Sequence, residues 1–458
     1  MFKKVLIANR GEIAVRIIRA LRELNIQSVA IYSTADADAQ YVKLADEAIC
    51  VGGPQPADSY LNMQNIVSAA VLTGAEAIHP GYGFLSENAE FAELCESCQI
   101  TFIGPKPQTI SLMGNKANAR IQMQAGKVPV IPGSTGFLKD ETDAVKVAGE
   151  VGYPVMLKAA SGGGGKGIRQ VANEHEMRAA YQSATKEAQL SFGDQRMYLE
   201  KIISPAKHIE VQVFADQFGH VTAFPERDCS LQRRQQKVLE LSPCPEMSAP
   251  ERRQLQQIAI RATKAIDYLN TGTIEFLMDA KHQFYFMEMN TRIQVEHPIT
   301  EAVTGVDLVK KQVRVAAGEP LSFDQADLKV QGFAVEARVN AEDPALNFMP
   351  QAGVIKQLKL PGGPGIRVDN GIQAGDMISP FYDSMIVKII AHAPTYQEAL
   401  KKLSEALAEF ELVGIATNQN FLQALLADPV VQQGTATTAY VTERFMPIFM
   451  KRNVQEVS

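Results

Sequence analysis

Five residues whose side chains could do chemistry fall on every second position of one short stretch, EMNTRIQVEHP. Glu288, Asn290, Arg292, Gln294 and Glu296 alternate with Met289, Thr291, Ile293 and Val295. In an extended strand, side chains two apart share a face, about 6.6–6.8 Å from one another. One face would then offer carboxylate and amide oxygens to a cation, and a guanidinium fork to a planar anion. Glu296 would stand near that anion as a base. The plainer reading is a ladder of surface ion pairs, each worth little. Such ladders favour Lys and Glu, whereas this order mixes ligand and clamp chemistries.

Upstream, TIEFLMD and FYFMEMN flank Ala280–Gln283, a hairpin-sized loop. A hairpin symmetric about Lys281–His282 puts Glu275 directly opposite Glu288. Like charges facing each other across a ladder are destabilising, and a divalent cation between them resolves the conflict. Mg²⁺ takes one or two carboxylates plus nucleotide phosphates, and Asn290 can add a carbonyl oxygen. Taken alone, the pair reads as two solvated glutamates on an exposed sheet face. The glycine loop and its lysines favour the metal.

That loop is SGGGGKG, Ser161–Gly167. Consecutive glycines let backbone N–H groups turn inward as an anion nest, and Lys158 and Lys166 add charge for phosphates. The spacing is not that of a P-loop. A flexible linker is the alternative, but this segment joins two apolar, strand-like runs. Further on, PERDCSLQRRQQK crowds charge around Cys229. Cys229 has no evident His partner and reads as a packed thiol. Lys237, and Arg338 in EARVNAEDP, are candidates for stabilising an anion. His79, His208 and His297 lack metal-ligand spacing, and most of them read as hydrogen-bonded structural residues. Cys95 and Cys98 read as two thiols on a helix, since no second Cys/His pair lies near them.

The elements that must position these groups follow from periodicity. Lys4–Ala8 reads as a strand, Ile13–Leu24 as a helix, and Ser28–Ser33, Ala75–His79 and Ile100–Gly104 as further strands. Strands alternating with helices predict a parallel, doubly wound sheet. Met113–Gln124 reads as one helix and VPVIPGS as a linker. YPVMLKAA and IRQV flank the glycine loop, and a polar helix runs to about Leu190. From Met197 the chain is strand-rich, with a helix from about Pro250 to Asp267. A last segment opens with GFAVEARVNAE and ends in helices over Tyr396–Phe410 and Asn418–Ala427.

The chain has 458 residues, and single cores rarely exceed about 250–300 residues, so several domains are expected. A net charge of −6 gives no electrostatic case for nucleic acid or an anionic membrane as partner. No apolar run approaches the roughly 20 residues of a membrane span, and the N-terminal run is too short for a signal peptide. Five cysteines in a chain of this length argue against a disulfide framework. A cytoplasmic location is expected.

Taken together, KVLIANRGEIAVRIIRA, HPGYGFLSEN, KAASGGGGKGIR, HIEVQV, ERDCSLQRRQQK, FMEMNTRIQVEHP and EARVNAEDP resemble the biotin carboxylase family nearly end to end. The resemblance implies an ATP-grasp fold, α/β and α+β. Its parts would be an N-terminal Rossmann-like domain (1–113), a lid subdomain with a mobile glycine loop (114–203), a catalytic core (204–331) and a mixed α/β C-terminal domain (332–447). It implies ATP- and bicarbonate-dependent carboxylation of biotin on a separate biotin carboxyl carrier protein, through carboxyphosphate. ATP contacts would fall on Lys116, Lys158, Gly163, Gly164, Gly165, Ile168, Glu200, Ile203, His208, Gln232 and Leu277. Glu275, Glu288 and Asn290 would hold Mg²⁺ or Mn²⁺, two ions in all. Arg292, Gln294, the Val295 backbone and Lys237 would hold bicarbonate, with Glu296 as base and Arg338 steadying the biotin enolate.

The resemblance also implies a homodimer working with carboxyltransferase subunits, foremost in acetyl-CoA carboxylase and fatty acid biosynthesis. Propionyl-CoA and pyruvate carboxylases have similar subunits. No biotinylation motif appears, and the chain is expected to act on partners in trans. Asn115, Gln235, Leu241, Phe333 and Gln351-Ala352 depart from the family pattern, which bears on rate and nucleotide affinity. Two rivals are another ATP-grasp carboxylate–amine ligase and a non-catalytic paralogue. The first would lack RIQVE and Arg338; the second would have lost a chemical residue, and none is lost.

Overall fold

The N-terminal alternation becomes a five-stranded sheet in the computed structural model, which describes residues 1–160 and 167–456. Strands β1 (Lys4–Ile7), β2 (Gln27–Ser33), β3 (Glu47–Gly52), β4 (Ala77–His79) and β5 (Thr101–Phe102) stand in the order β3-β2-β1-β4-β5. All neighbours are parallel, so helices must cross over between them. Gly11–Glu23 is the first of these and buries Ile13, Ile17, Ile18 and Leu21 against the sheet. β3 escaped the sequence reading because it is a mostly exposed edge with little apolar alternation.

The lid is a separate three-stranded antiparallel sheet, β6 (Val155–Ala159), β7 (Ile168–Val171) and β8 (Met197–Lys201), in the order β7-β6-β8. Helices Glu141–Val151 and Glu174–Phe192 cover it and close its own core around Leu157, Met177, Ala184 and Leu199. Gly163, Gly164, Gly165 and Lys166 lie outside the described residues.

Two expectations fail here for local reasons. VPVIPGS is not a free linker: Val128 and Ile131 are buried, Val130 bridges Phe286, and Gly133 bridges Glu200. Its prolines have no N–H to donate, but their carbonyls still accept. Pro129 takes the Phe286 N–H and Pro132 the Lys201 N–H, each at 2.7 Å. The helix expected over Met113–Gln124 is two, Pro107–Gly114 and Lys116–Ala125. Asn115 starts the second by accepting from the Asn118 N–H at 3.0 Å. Asn and Asp serve about equally well as caps, which accounts for Asn at this position.

The largest sheet has eight antiparallel strands: β9 (Ala206–Ala215), β10 (Val221–Arg233), β11 (Gln236–Ser242), β12 (Asn270–Asp279), β13 (Phe284–Asn290), β14 (Phe333–Asn340), β15 (Ile366–Asn370) and β16 (Met385–Ala393). Their order is β13-β12-β9-β10-β11-β14-β16-β15. The sheet runs without interruption past residue 331, because β11 pairs with β14 through Leu239↔Ala337, Glu240↔Glu336 and Leu241↔Val335. β9 is buried along its whole length, yet it carries His208, Glu210 and Gln212. Buried charge in a central strand has to be paired. At Gly371 the C-terminal segment meets the first helix so closely that a Cβ would lie 2.6 Å from the Gly11 backbone carbon.

Candidate active site

β12 and β13 form the expected hairpin, and Glu275 stands directly opposite Glu288. Toward the turn the register shifts. Phe276 pairs with Phe286, and Met287 is an extra, bulged residue. Met287 and Glu288 both line the cleft.

The alternating face does not continue as a strand past Asn290. Thr291 and Arg292 turn away to Glu87, whose carboxylate takes the Thr291 N–H at 2.9 Å and Arg292 Nε at 2.8 Å. Glu296 then stands at the N-cap position of the helix His297–Thr304, its carboxylate left free of any capping bond. Pro298 sits in the first turn of that helix, where its fixed φ and missing N–H fit, whereas a central ladder would exclude it. That proline was the signal in the sequence that the extended run had to stop. The turn draws the functional groups together, where a strand would have strung them out in a row.

At the centre Lys237 Nζ lies 2.6 Å from Glu210, 2.6 Å from Glu296 and 3.1 Å from Glu275. Arg338 bonds Glu296 at 2.8 Å and Glu240 at 2.5 Å. Gln294 Nε2 and Asn290 Nδ2 both donate to the same Glu275 oxygen at 2.9 Å. Burial alone would raise the Glu275 and Glu296 carboxyls. Lys237 opposes it at both, with His208 at Glu275 and Arg338 at Glu296, and both acids are held below their ordinary range. Ionised Glu296 is the form able to accept a proton.

His208, expected among the nucleotide contacts, stands beside this acid cluster. Its Nε2 is 3.2 Å from Glu275 and 3.5 Å from Glu210, and Gln232 meets its Nδ1 at 2.9 Å. Burial disfavours the imidazolium, but Glu275 outweighs it and pushes the group up to about 9. Ligand atoms of His208, Glu210 and Glu275 lie within 4.8 Å of one another, but the Lys237 ammonium already bonds two of these acids. At the cleft rim Lys116 pairs with Glu288 at 2.7 Å.

These groups line a cleft of about 1100 Å³ between the lid, the largest sheet and the N-terminal domain. Lys116, Lys158, Ile168, His208, Gln232, Leu277, Arg292, Gln294, Val295, Glu296 and Arg338 all line it. Glu200 reaches it through Lys158, at 2.5 Å. Ile203, half-buried just beyond β8, is not among the described lining residues. The Val295 carbonyl accepts from Lys388 at 2.8 Å, and no strand claims its N–H, since the chain has already left the sheet. Cys229 is buried and its thiol is pushed up by burial, as a packed thiol requires.

Sequence reasoning missed Arg227, which is wholly buried. It bonds Glu210 at 2.5 Å, Gln294 at 2.5 Å, Thr300 at 2.9 Å, and Gln212 and Thr273 at 3.0 Å. A signal existed in HIEVQV, whose alternate polar residues interrupt a buried strand. Glu87 had none, being some 200 residues from its partners.

Three family models account for the chain. Residues 1–110 match the biotin carboxylase N-terminal domain and 336–443 its C-terminal domain. Residues 115–323 match the ATP-binding domain of the carbamoyl-phosphate synthase L chain. Biotin carboxylase 1 of Bacillus subtilis is 51% identical over 442 residues, 96% of this chain and 98% of that one. The chain belongs to the biotin carboxylase family. Another relative, from the pyruvate carboxylase of Methanothermobacter thermautotrophicus, is 46% identical over all of this chain and 93% of its own. A biotin carboxylase domain dimer from the 2-oxoglutarate carboxylase of Hydrogenobacter thermophilus, solved with MgADP, ADP and bicarbonate, gives a TM-score of 0.92. It is 49% identical and covers 97% of this chain and 98% of that one. The architecture is therefore that of a biotin carboxylase, an ATP-grasp fold, and the chain is an ATP-dependent ligase.

Proposed function

We propose that this chain carboxylates biotin carried on a separate protein, using ATP and bicarbonate. The observation that carries the reading is the convergence of Lys237, Arg338, Gln294 and Glu296 beside the facing pair Glu275 and Glu288. The residues fit a divalent cation. Two carboxylates and an amide oxygen come from neighbouring positions, and each acid is neutralised by a lysine where an ion's charge would stand. Mg²⁺ bound there would neutralise developing charge on the β- and γ-phosphates.

The chain's own residues supply the rest. Lys116 and Lys158 face the nucleotide phosphates. Arg292, Gln294 and the Val295 N–H hold bicarbonate, and Glu296 removes its proton. A carbonate oxygen then attacks the γ-phosphorus, the bond to ADP breaks, and carboxyphosphate forms. Its breakdown gives CO₂ and phosphate. Phosphate takes the N1′ proton of biotin while Arg338 stabilises the resulting enolate, which attacks CO₂. Carboxyphosphate is labile, and a closed lid over the cleft keeps water from it.

The finer assignment is the first half-reaction of acetyl-CoA carboxylase in fatty acid synthesis, in the cytoplasm, by a homodimer working with a carrier protein and carboxyltransferase. Among the described residues no helix is long and apolar enough to cross a membrane. The names of the relatives favour one alternative, the corresponding component of a 2-oxoglutarate or pyruvate carboxylase.

The test uses labelled bicarbonate. ATP hydrolysis should require bicarbonate and rise with free biotin, and label should pass to the host's biotin carrier protein. ATP hydrolysis indifferent to bicarbonate would refute the carboxylase reading. Glu296→Ala should lower the bicarbonate-dependent rate by about 10²–10⁴-fold, the usual contribution of a general base. An unchanged rate would remove Glu296 from that role.

A further inference from the structure

Glu336 lies in β14 next to the site, wholly buried, and no protein donor among the described residues reaches either of its carboxylate oxygens. Its neighbours in the ladder are Glu240 on β11 and Ile390 on β16. The helix His297–Thr304 packs over this side and contributes Ile299 and Val303 to an apolar cluster with Ala334 and Ile390. The nearby cations are committed elsewhere. Arg338, two residues along the strand, is bonded by Glu240 and Glu296. Lys388 on β16 is held by the Val295 carbonyl at 2.8 Å and Glu12 at 3.1 Å. His297, at the start of the covering helix, is kept neutral by its burial and by Lys388, and its Nε2 also lacks a partner. An ionised carboxylate without a partner in such a place is costly enough to take up a proton instead.

We propose that Glu336 is held as a neutral carboxylic acid in the working enzyme, and that this neutrality leaves Arg338 aimed at Glu296 and the cleft. Glu336 is thus a positioning residue, acting through Arg338. Charged Glu336 would set a third acid against Glu240 and Glu296 in competition for one guanidinium. The shift of its carboxyl agrees: burial drives it well above the usual carboxylate range, and Lys388 does not compensate. The role given to Arg338 rests on the biotin carboxylase reading; the protonation of Glu336 does not.

The experiment takes the full-length chain and compares wild type with Glu336→Gln and Glu240→Gln. Burial pushes the neighbouring Glu240 up to about 7, so infrared difference spectra taken well above that pH should show a protonated-carboxyl C=O band that Glu336→Gln removes. Absence of that band in wild type overturns the proposal, as does its loss only in Glu240→Gln. Thermal unfolding gives a second readout. Because the folded state holds this proton above the ordinary carboxylate range, wild type loses stability as pH rises through the raised value, and Glu336→Gln does not. Parallel melting curves across pH overturn the proposal too. In the biotin-dependent rate, Glu336→Gln should displace the alkaline limb of kcat/KM upward, retaining about tenfold more activity one pH unit above the wild-type limb. If biotin is not carboxylated at all, the spectra and melting curves still decide the protonation, so the two failures are distinguishable.

Discussion

Arg227 shows how much one side chain can hold in place. Its guanidinium satisfies Glu210, Gln212, Thr273, Gln294 and Thr300 at once, none of them through water-exposed atoms. Five donors in a rigid fork suit this ring of acceptors, and a lysine could not reproduce it. Arg227→Met should leave Glu210 a buried acid with one cation fewer, and should cost about 3–5 kcal/mol of stability. Gln294 would lose its anchor as well, so any folded variant should show a raised KM for bicarbonate. Denaturant unfolding checks the first claim, and a loss below about 1 kcal/mol would contradict it. The same residue marks a limit of sequence reading. The types and spacing of Glu275, Glu288 and Glu296 were legible because local patterns of strand and hairpin relate them. Arg227 was not, because its partners come from β9, β12, the turn at Gln294 and the helix after Glu296, and only the fold brings them together.

At the scale of elements, the hairpin between β10 and β11 reaches over the cleft with a two-residue turn, Arg234-Gln235. Both residues have positive φ, 49° and 67°, which the mirror-image hairpin turn demands and which Asn-Gly would meet without strain. Left-handed backbone costs a non-glycine residue about 1–2 kcal/mol, and glycine's extra freedom when unfolded costs about 0.5–1 kcal/mol. Gln235→Gly should therefore stabilise the protein by up to about 1 kcal/mol. It should also raise KM for ATP while leaving kcat nearly unchanged, since the side chain lines the cleft and lies off the proton path. A lower melting temperature, or a fall in kcat at unchanged KM, would contradict this account. Turns of this kind explain the uneven legibility of elements. Regular helices and strands announced themselves by period. The bulge at Met287, the break at Asn115 and the pinned VPVIPGS segment depend on single backbone groups finding partners across space, which no period encodes.

The whole molecule divides by cooperativity more than by position along the chain. The lid has its own three-stranded sheet and its own small core, and the segment 128–134 ties it to the rest, bridging Phe286 of β13 at Val130 and Glu200 of β8 at Gly133. The catalytic and C-terminal parts share one eight-stranded sheet, in which β11 and β14 are central neighbours. Leu231, Val238, Leu239 and Leu241 pack in one cluster with Val335, Val387, Leu403 and Phe421 from beyond residue 331. A chain cut after residue 331 would expose those leucines, leave β11 an open edge, and strip Glu240 of Arg338. Open apolar edges recruit other chains, so the 1–331 fragment should aggregate or stay unfolded. Deleting lid residues 135–201 and bridging the gap with a short glycine-rich linker should instead leave a cooperatively melting protein that has lost ATP turnover. A soluble, sharply melting 1–331 fragment would break the argument, because it would mean that β11 does not need β14 and that the shared sheet is two units in contact.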